Sequence, residues 1–138
     1  RWRIREAVAM GLQLLGDNDF GALEAIVRRW VLDGDPLVVR AAAAAICEPR
    51  LLGTAHAAAV AVDVCSAATD LITRWPTEDR RNPALRTLRQ TLGYCWSVAI
   101  AAAPDHGLPA FRALDDTDPD VRWVIAQNLT KKRLARLI

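Results

Sequence analysis

Arginine sets the chemical character of this sequence. Of its 18 basic residues only Lys131 and Lys132 are lysines; the others carry a planar guanidinium that pairs with carboxylates and phosphates at two points. Four of these arginines, Arg5, Arg40, Arg86 and Arg122, each follow an apolar residue (Ile4, Val39, Leu85 and Val121) at matching places along the chain. Two uses are open to them. They can form a structural ladder with carboxylates of neighbouring segments, for which Asp19, Asp35 and Asp118 are at hand, or they can face a ligand.

A second group lies on the segment that starts at Asn82. Arg86, Gln90, Gly93 and Ser97 recur at helical spacing, with Arg89 beside them. As an exposed stripe they would make a groove floor with a small residue at Gly93 and guanidinium groups at its flanks, suited to an extended peptide or a phosphate backbone. The plainer use is a solvated helix face. Near the C-terminus, Lys131, Lys132, Arg133 and Arg136 follow Trp123 and Gln127 by one to two helical turns. Basic groups interleaved with an aromatic suit nucleic acid, and cations at a helix C-terminus also suit the helix dipole. Asp115, Asp116, Asp118 and Asp120 lie close by and offset that charge. Trp123 neighbours Arg122 and is the aromatic most suited to a ligand.

Catalytic and metal-binding patterns are poor. His56 and His106 are far apart and neither has a metal-ligand spacing. The chain has no glycine-rich phosphate loop and no nucleophile elbow. The carboxylates of residues 115–118 read as turn and capping groups. No catalytic residue, metal or cofactor is expected. Cys47, Cys65 and Cys95 are odd in number, fit no metal motif and sit among apolar residues, which predicts buried thiols in a reducing, cytoplasmic setting.

Helices must position these groups. The chain has 138 residues, the length of one domain, and 52% of them are hydrophobic, enough for a sizeable core. Its net charge of +2 is too balanced to imply nucleic acid by itself. Alanine dominates, strand patterning is weak, and no signal peptide or membrane span is visible; Ala55 to Ala68 is apolar but short and interrupted by Asp63. Apolar periodicity predicts helices over about 1–15, 18–33, 36–47, 54–74, 82–103, 108–114, 120–129 and 131–137. Gly16 is expected to stop the first, Asp17 or Asn18 to cap the second, and Pro104 with Gly107 to mark a break. Trp30, Trp96 and Trp2 fall on apolar faces, and Trp75 at a helix end. The first residue is Arg1, inside a helical pattern, as expected of a piece of a longer protein.

The chain also repeats. Asn82-Pro83-Ala84-Leu85-Arg86 aligns without gaps with Asp118-Pro119-Asp120-Val121-Arg122, and Asp35-Pro36-Leu37-Val38-Val39-Arg40 is the same device with one extra residue. Ile4-Arg5 repeats its last step, and Ala9, Ala44, Gln90 and Ala126 follow one helical turn beyond each arginine. The step from Arg40 to Arg86 is longer than that from Arg86 to Arg122, so the central repeat carries an insertion. This pattern resembles the HEAT-repeat family, and Leu92-Gly93-Tyr94-Cys95-Trp96-Ser97-Val98-Ala99 resembles uncharacterised bacterial HEAT-repeat proteins. Tetratricopeptide repeats fit the uneven step less well.

The resemblance implies an all-α superhelix of antiparallel helix pairs, with seven or eight helices and repeats at about 1–16, 17–52, 53–103 and 104–138 in one domain. It also implies a non-enzymatic scaffold that binds a protein or peptide on its concave face. The alternative is a DNA- or RNA-binding module. The HEAT-like alkylated-DNA glycosylases place an Asp, aromatics and arginines in a concave basic cleft, a set with no residue-by-residue match here. A continuous positive groove through Arg86, Arg89, Arg122 and Lys131 would favour nucleic acid, whereas neutralisation by aspartates would favour peptide. Neither a membrane partner nor an oligomeric state is implied.

Overall fold

Three helices begin with the same device. Asp35, Asn82 and Asp118 each turn a side-chain oxygen onto backbone N–H groups of the first turn, and a proline occupies the next position. Asp19 and Thr54 cap two more in the same way. The computed structural model describes residues 2–138. It contains α1 (Trp2–Asn18), α2 (Phe20–Trp30), α3 (Pro36–Ile46), α4 (Ala55–Arg74), α5 (Pro83–Ala102), α6 (Pro104–Arg112), α7 (Pro119–Leu129) and a single turn, α8 (Lys132–Ala135), with short 3₁₀ turns at Pro49–Leu51 and Thr77–Asp79. Among the described residues there is no strand. The chain is thus all-α, and its helices stack in pairs.

Two layers result. The inner layer runs α1, α3, α5, α7, each packed on the next, while α2, α4 and α6 form the outer layer and α8 closes against α5 and α7. The extra length of the central pair goes into both of its helices. α4 and α5 have 20 residues each, whereas α2, α3 and α7 have 11. At 1.5 Å per residue α5 is about 30 Å long. It forms the spine of the molecule, touching α3, α4, α6, α7 and α8.

Trp96 on this spine is fully buried; its indole N–H donates to the Thr69 hydroxyl, which in turn donates to the Cys65 carbonyl, so the core's largest side chain leaves no polar atom unpaired. Phe111 of α6 packs on the same ring at 5.6 Å. The alanine run of α3 lets α1, α4 and α5 approach closely, and the three thiols meet at that junction. Cys47 and Cys65 Sγ atoms are 3.6 Å apart, and Cys95 donates to the Ala43 carbonyl at 3.7 Å. All three are free and buried, as expected, and burial together with contact to Cys47 pushes the Cys95 thiol well above its ordinary pKa.

Several boundaries differ from the sequence expectation, for one physical reason. Gly16 does not stop α1, which continues to Asn18, so Asp19 rather than Asp17 or Asn18 caps α2. A Cβ at residue 16 would come within 2.5 Å of Leu23 Cδ2, so this glycine permits close approach of α2. Likewise α6 begins at Pro104 and runs through Gly107, where a Cβ would lie 2.9 Å from the Ile100 Cα. No described glycine has positive φ. Both glycines serve packing, not chain reversal.

α4 matches the helix expected over about 54–74. It is a 20-residue helix with an 18-residue window of mean hydropathy 1.4, long and apolar enough to cross a bilayer by length and composition. Its valines at 60, 62 and 64, with Ile72, are buried against neighbouring helices, as befits a core helix. Trp30 is partly buried on the core and Trp75 half-buried, its indole N–H donating to the Asp79 carbonyl and carboxylate. The expectation for Trp2 lies outside the described side chains.

Candidate functional site: a cationic groove on the inner helices

The inner helices bring their polar groups together along a groove of about 450 Å³. α1 contributes Arg5 and α3 contributes Arg40. From α5 come Thr87, Gln90, Thr91 and Tyr94, with Gly93 in the floor. Trp123 and Gln127 of α7 and Lys131 just beyond it complete the walls. The geometry depends on Gly93. The Trp123 ring lies so close that a Cβ at residue 93 would meet its Cζ3 at 3.1 Å. One turn back on α5, the Arg89 guanidinium sits 4.1 Å from the Trp123 ring centroid. Stacked over Arg89 and Gly93, the indole is held as a rigid wall.

Asn128 locks α7 to α5 behind this wall. It is fully buried, donates to the Leu92 and Val124 carbonyls at 2.9 and 2.7 Å, and accepts from the Ser97 N–H at 2.9 Å. All of its strong hydrogen-bonding groups are used between two helix backbones, which fixes the register of Trp123 and Gln127 against Gln90 and Tyr94.

Charge is distributed unevenly around the groove. At one edge Arg80, from the loop before α5, makes a two-point pair with Asp118 (2.8 and 3.0 Å) and reaches Asp120 at 3.0 Å. Asp120 also lies 3.5 Å from Arg86 and 3.7 Å from Arg89. Burial pulls the Asp118 pKa upward, but the Arg80 hydrogen bond and the Val121 and Asp120 N–H groups outweigh it, and the net shift is downward. Burial, followed by repulsion from Arg86, lowers the pKa of Arg89. The groove itself is different. Among the described residues no carboxylate lies within ion-pairing distance of Arg5, Arg40 or Lys131, and the Nε atoms of Arg5 and Arg40 are buried without a hydrogen-bond partner. Beside them the half-exposed Tyr94 hydroxyl is held protonated far above its ordinary pKa, first by burial.

The residues singled out in the sequence divide accordingly. Gln90, Trp123, Gln127 and Lys131 line the groove together. Arg89 supports Trp123 from α5, and Arg86 stays at the edge, tied to Asp120. Arg122 is exposed on α7 but outside the groove lining. The expected exposed stripe through Gly93 and Ser97 is corrected: both are buried, Ser97 to 1% exposure, because α7 covers that face. The Ser97 hydroxyl donates to the Tyr94 carbonyl at 2.7 Å, and the residue borders a smaller hollow with Lys132 and Arg133.

Of the two uses open to the repeated arginines, the ladder has one rung, Arg86 with Asp120. Asp19 and Asp35 cap their own helices, and Asp118 pairs with Arg80, so these three aspartates leave Arg5 and Arg40 free. Tyr94, Asn128 and Arg80 were not singled out, since nothing in their spacing marks them. Among the described residues no three His, Cys, Asp or Glu side chains are arranged to hold a metal ion. In comparisons with known proteins, no family model, no curated protein and no solved structure matches this chain.

Proposed function

We propose that the chain is a HEAT-like solenoid module that binds an extended segment of a partner protein in the concave groove and carries out no chemistry of its own. The observation that carries this reading is the convergence, in one groove, of unpaired cations with an aromatic wall. Arg5, Arg40 and Lys131 meet Trp123, Tyr94 and the two amides Gln90 and Gln127 there. Amide side chains can donate to and accept from a peptide backbone, and rigid aromatics give contact area at low entropic cost. The repeated Asp/Asn-Pro helix starts and the two-layer stack support the HEAT-like assignment. Three buried free thiols favour a reducing compartment such as the cytoplasm.

The nucleic-acid reading receives less support. A positive strip along α5 and α7 would pass Arg86 and Arg89, and there Asp118 and Asp120 take up the charge together with Arg80. Phosphate contacts dominate such binding and are strongly salt-dependent, so absence of single- or double-stranded DNA or RNA binding at low salt removes this alternative.

The direct test is panning of a random-peptide display library on the folded protein, with the double variant Arg5→Glu/Arg40→Glu as counter-target. Enrichment on the parent protein that is lost on the variant is the expected result. Equal recovery from both, with the variant folded by circular dichroism, removes the groove as the binding site.

A further inference from the structure

We infer that the groove anchors its peptide through a phosphorylated side chain, held jointly by Arg5, Arg40 and Lys131. This rests on the peptide-binding reading and adds the chemistry of the anchor. The first reason is the pair of orphaned donors. The Nε–H groups of Arg5 and Arg40 are out of water and without a partner. A buried unpaired donor is costly, and more so on a cation. Arg89, the third arginine with such an atom, has Asp120 beside it at 3.7 Å and the Trp123 ring at 4.1 Å. Among the described residues Arg5 and Arg40 have neither. An anion with several oxygens in the groove supplies the charged partner that both guanidinium groups lack among the described residues.

The second reason is the amount of charge. Three cations from α1, α3 and the end of α7 line one groove. Glu6 is the carboxylate whose charge reaches Tyr94, opposing that of Arg40. The surplus is about two positive charges, which a single carboxylate leaves half uncompensated and a phosphate monoester, near −2 at neutral pH, balances.

The third reason is extent. The volume of about 450 Å³ suits one phosphorylated side chain with its neighbouring residues. On the side of Asp118 and Asp120, with their neighbours Asp115 and Asp116, a longer polyanion is repelled, whereas on the other side the groove adjoins the hollow of Lys132 and Arg133, so the test includes an oligonucleotide. Gln90 and Gln127 remain for the flanking backbone, and Trp123 with Tyr94 for a flat or apolar neighbour.

The test uses degenerate peptide arrays with one fixed central residue: phosphoserine, phosphotyrosine, glutamate or serine. Binding of either phosphorylated set, roughly tenfold or more above the glutamate and serine sets, is expected. Arg5→Gln and Arg40→Gln should each abolish that preference, while Arg112→Gln, an equal change of net charge on exposed α6, keeps it. Binding without preference for phosphate overturns the inference and leaves the peptide reading standing. Absence of binding to all sets by the folded protein overturns both. An oligonucleotide that competes off the phosphopeptides at physiological salt and binds more tightly than they do also overturns it, in favour of nucleic acid. Inorganic phosphate followed through the indole N–H resonances, with Trp123→Phe to assign the reporter, should shift the Trp123 signal where acetate at equal ionic strength does not; equal shifts count against the anchor.

Discussion

The two faces of the molecule treat charge in opposite ways. On the outer layer, His56 contacts Glu24 at 2.6 Å, Glu24 accepts from Arg28 at 2.9 Å, Arg28 reaches Asp63 at 3.5 Å, and Asp63 meets His106 at 3.1 Å. Both histidines of the chain thus end one chain of polar contacts across α2, α4 and α6, with the Arg28 guanidinium between two carboxylates at its centre. On the inner layer, Arg5, Arg40 and Lys131 line one groove and, among the described residues, none of them has a carboxylate within ion-pairing distance. The outer chain and the cluster at Asp118 and Asp120 match charge with charge, whereas Arg5, Arg40 and Lys131 have no ion pair among the described residues where a ligand has room. The contrast separates charges that stabilise the fold from charges available for recognition.

The comparison can be broken at four places. The largest expected loss follows Arg80→Ala, because it strips Asp118 of its ion-pair partner and Asp120 of one of three, and those carboxylate side chains are only 9% and 12% exposed. Unfolding in urea at neutral pH should show a loss of about 3 kcal/mol. The folded pKa of Asp118 is depressed below 3.8, so its contribution is full above that value and disappears as pH falls through the lower folded value. The gap between parent and variant should therefore close in acid, and a gap that stays constant to the lowest pH at which the protein remains folded rules out the ion pair as its origin.

Asn128→Leu comes next. Removing three buried hydrogen bonds, two of them between α5 and α7, should cost about 2 to 3 kcal/mol. Loss of peptide binding in the surviving folded fraction would show that this lock also aligns the groove. Smaller again is Arg28→Ala on the outer face. Its partners are exposed, so a loss below about 1 kcal/mol that fades in high salt is expected. Smallest is Arg5→Gln combined with Arg40→Gln, which should leave stability within about 0.5 kcal/mol, or raise it slightly by relieving like charges. If this pair costs more than Arg28→Ala, the groove arginines are structural and the contrast between the faces fails.

Much of the fold was legible because capping is local chemistry. Asp35-Pro36, Asn82-Pro83 and Asp118-Pro119 announce helix starts within a few residues, and all three are used that way. Gly16 and Gly107 misled because their role is a contact with Leu23 or Ile100, and proximity across helices leaves no mark in spacing. The candidate site was half legible for a similar reason. Periodicity places Gln90, Gly93 and Ser97 on one face, but it cannot tell that α7 lies over part of that face and buries Ser97. The fate of the arginines depends on Arg80, which sits in a loop outside any repeat, takes the carboxylates of residues 118 and 120, and so changes what is left for the others.

The meeting of Cys47, Cys65 and Cys95 at the junction of α3, α4 and α5 has a practical consequence. In the closed molecule Cys65 and Cys95 are sealed from solvent and Cys47 nearly so, and burial disfavours the thiolate form of Cys95. A water-soluble thiol reagent can therefore label them only when neighbouring helices separate. The molecule carries its own clock for opening: labelling rates at the three positions, read by mass, report how often the central stack parts and whether occupation of the groove on its inner side slows that motion.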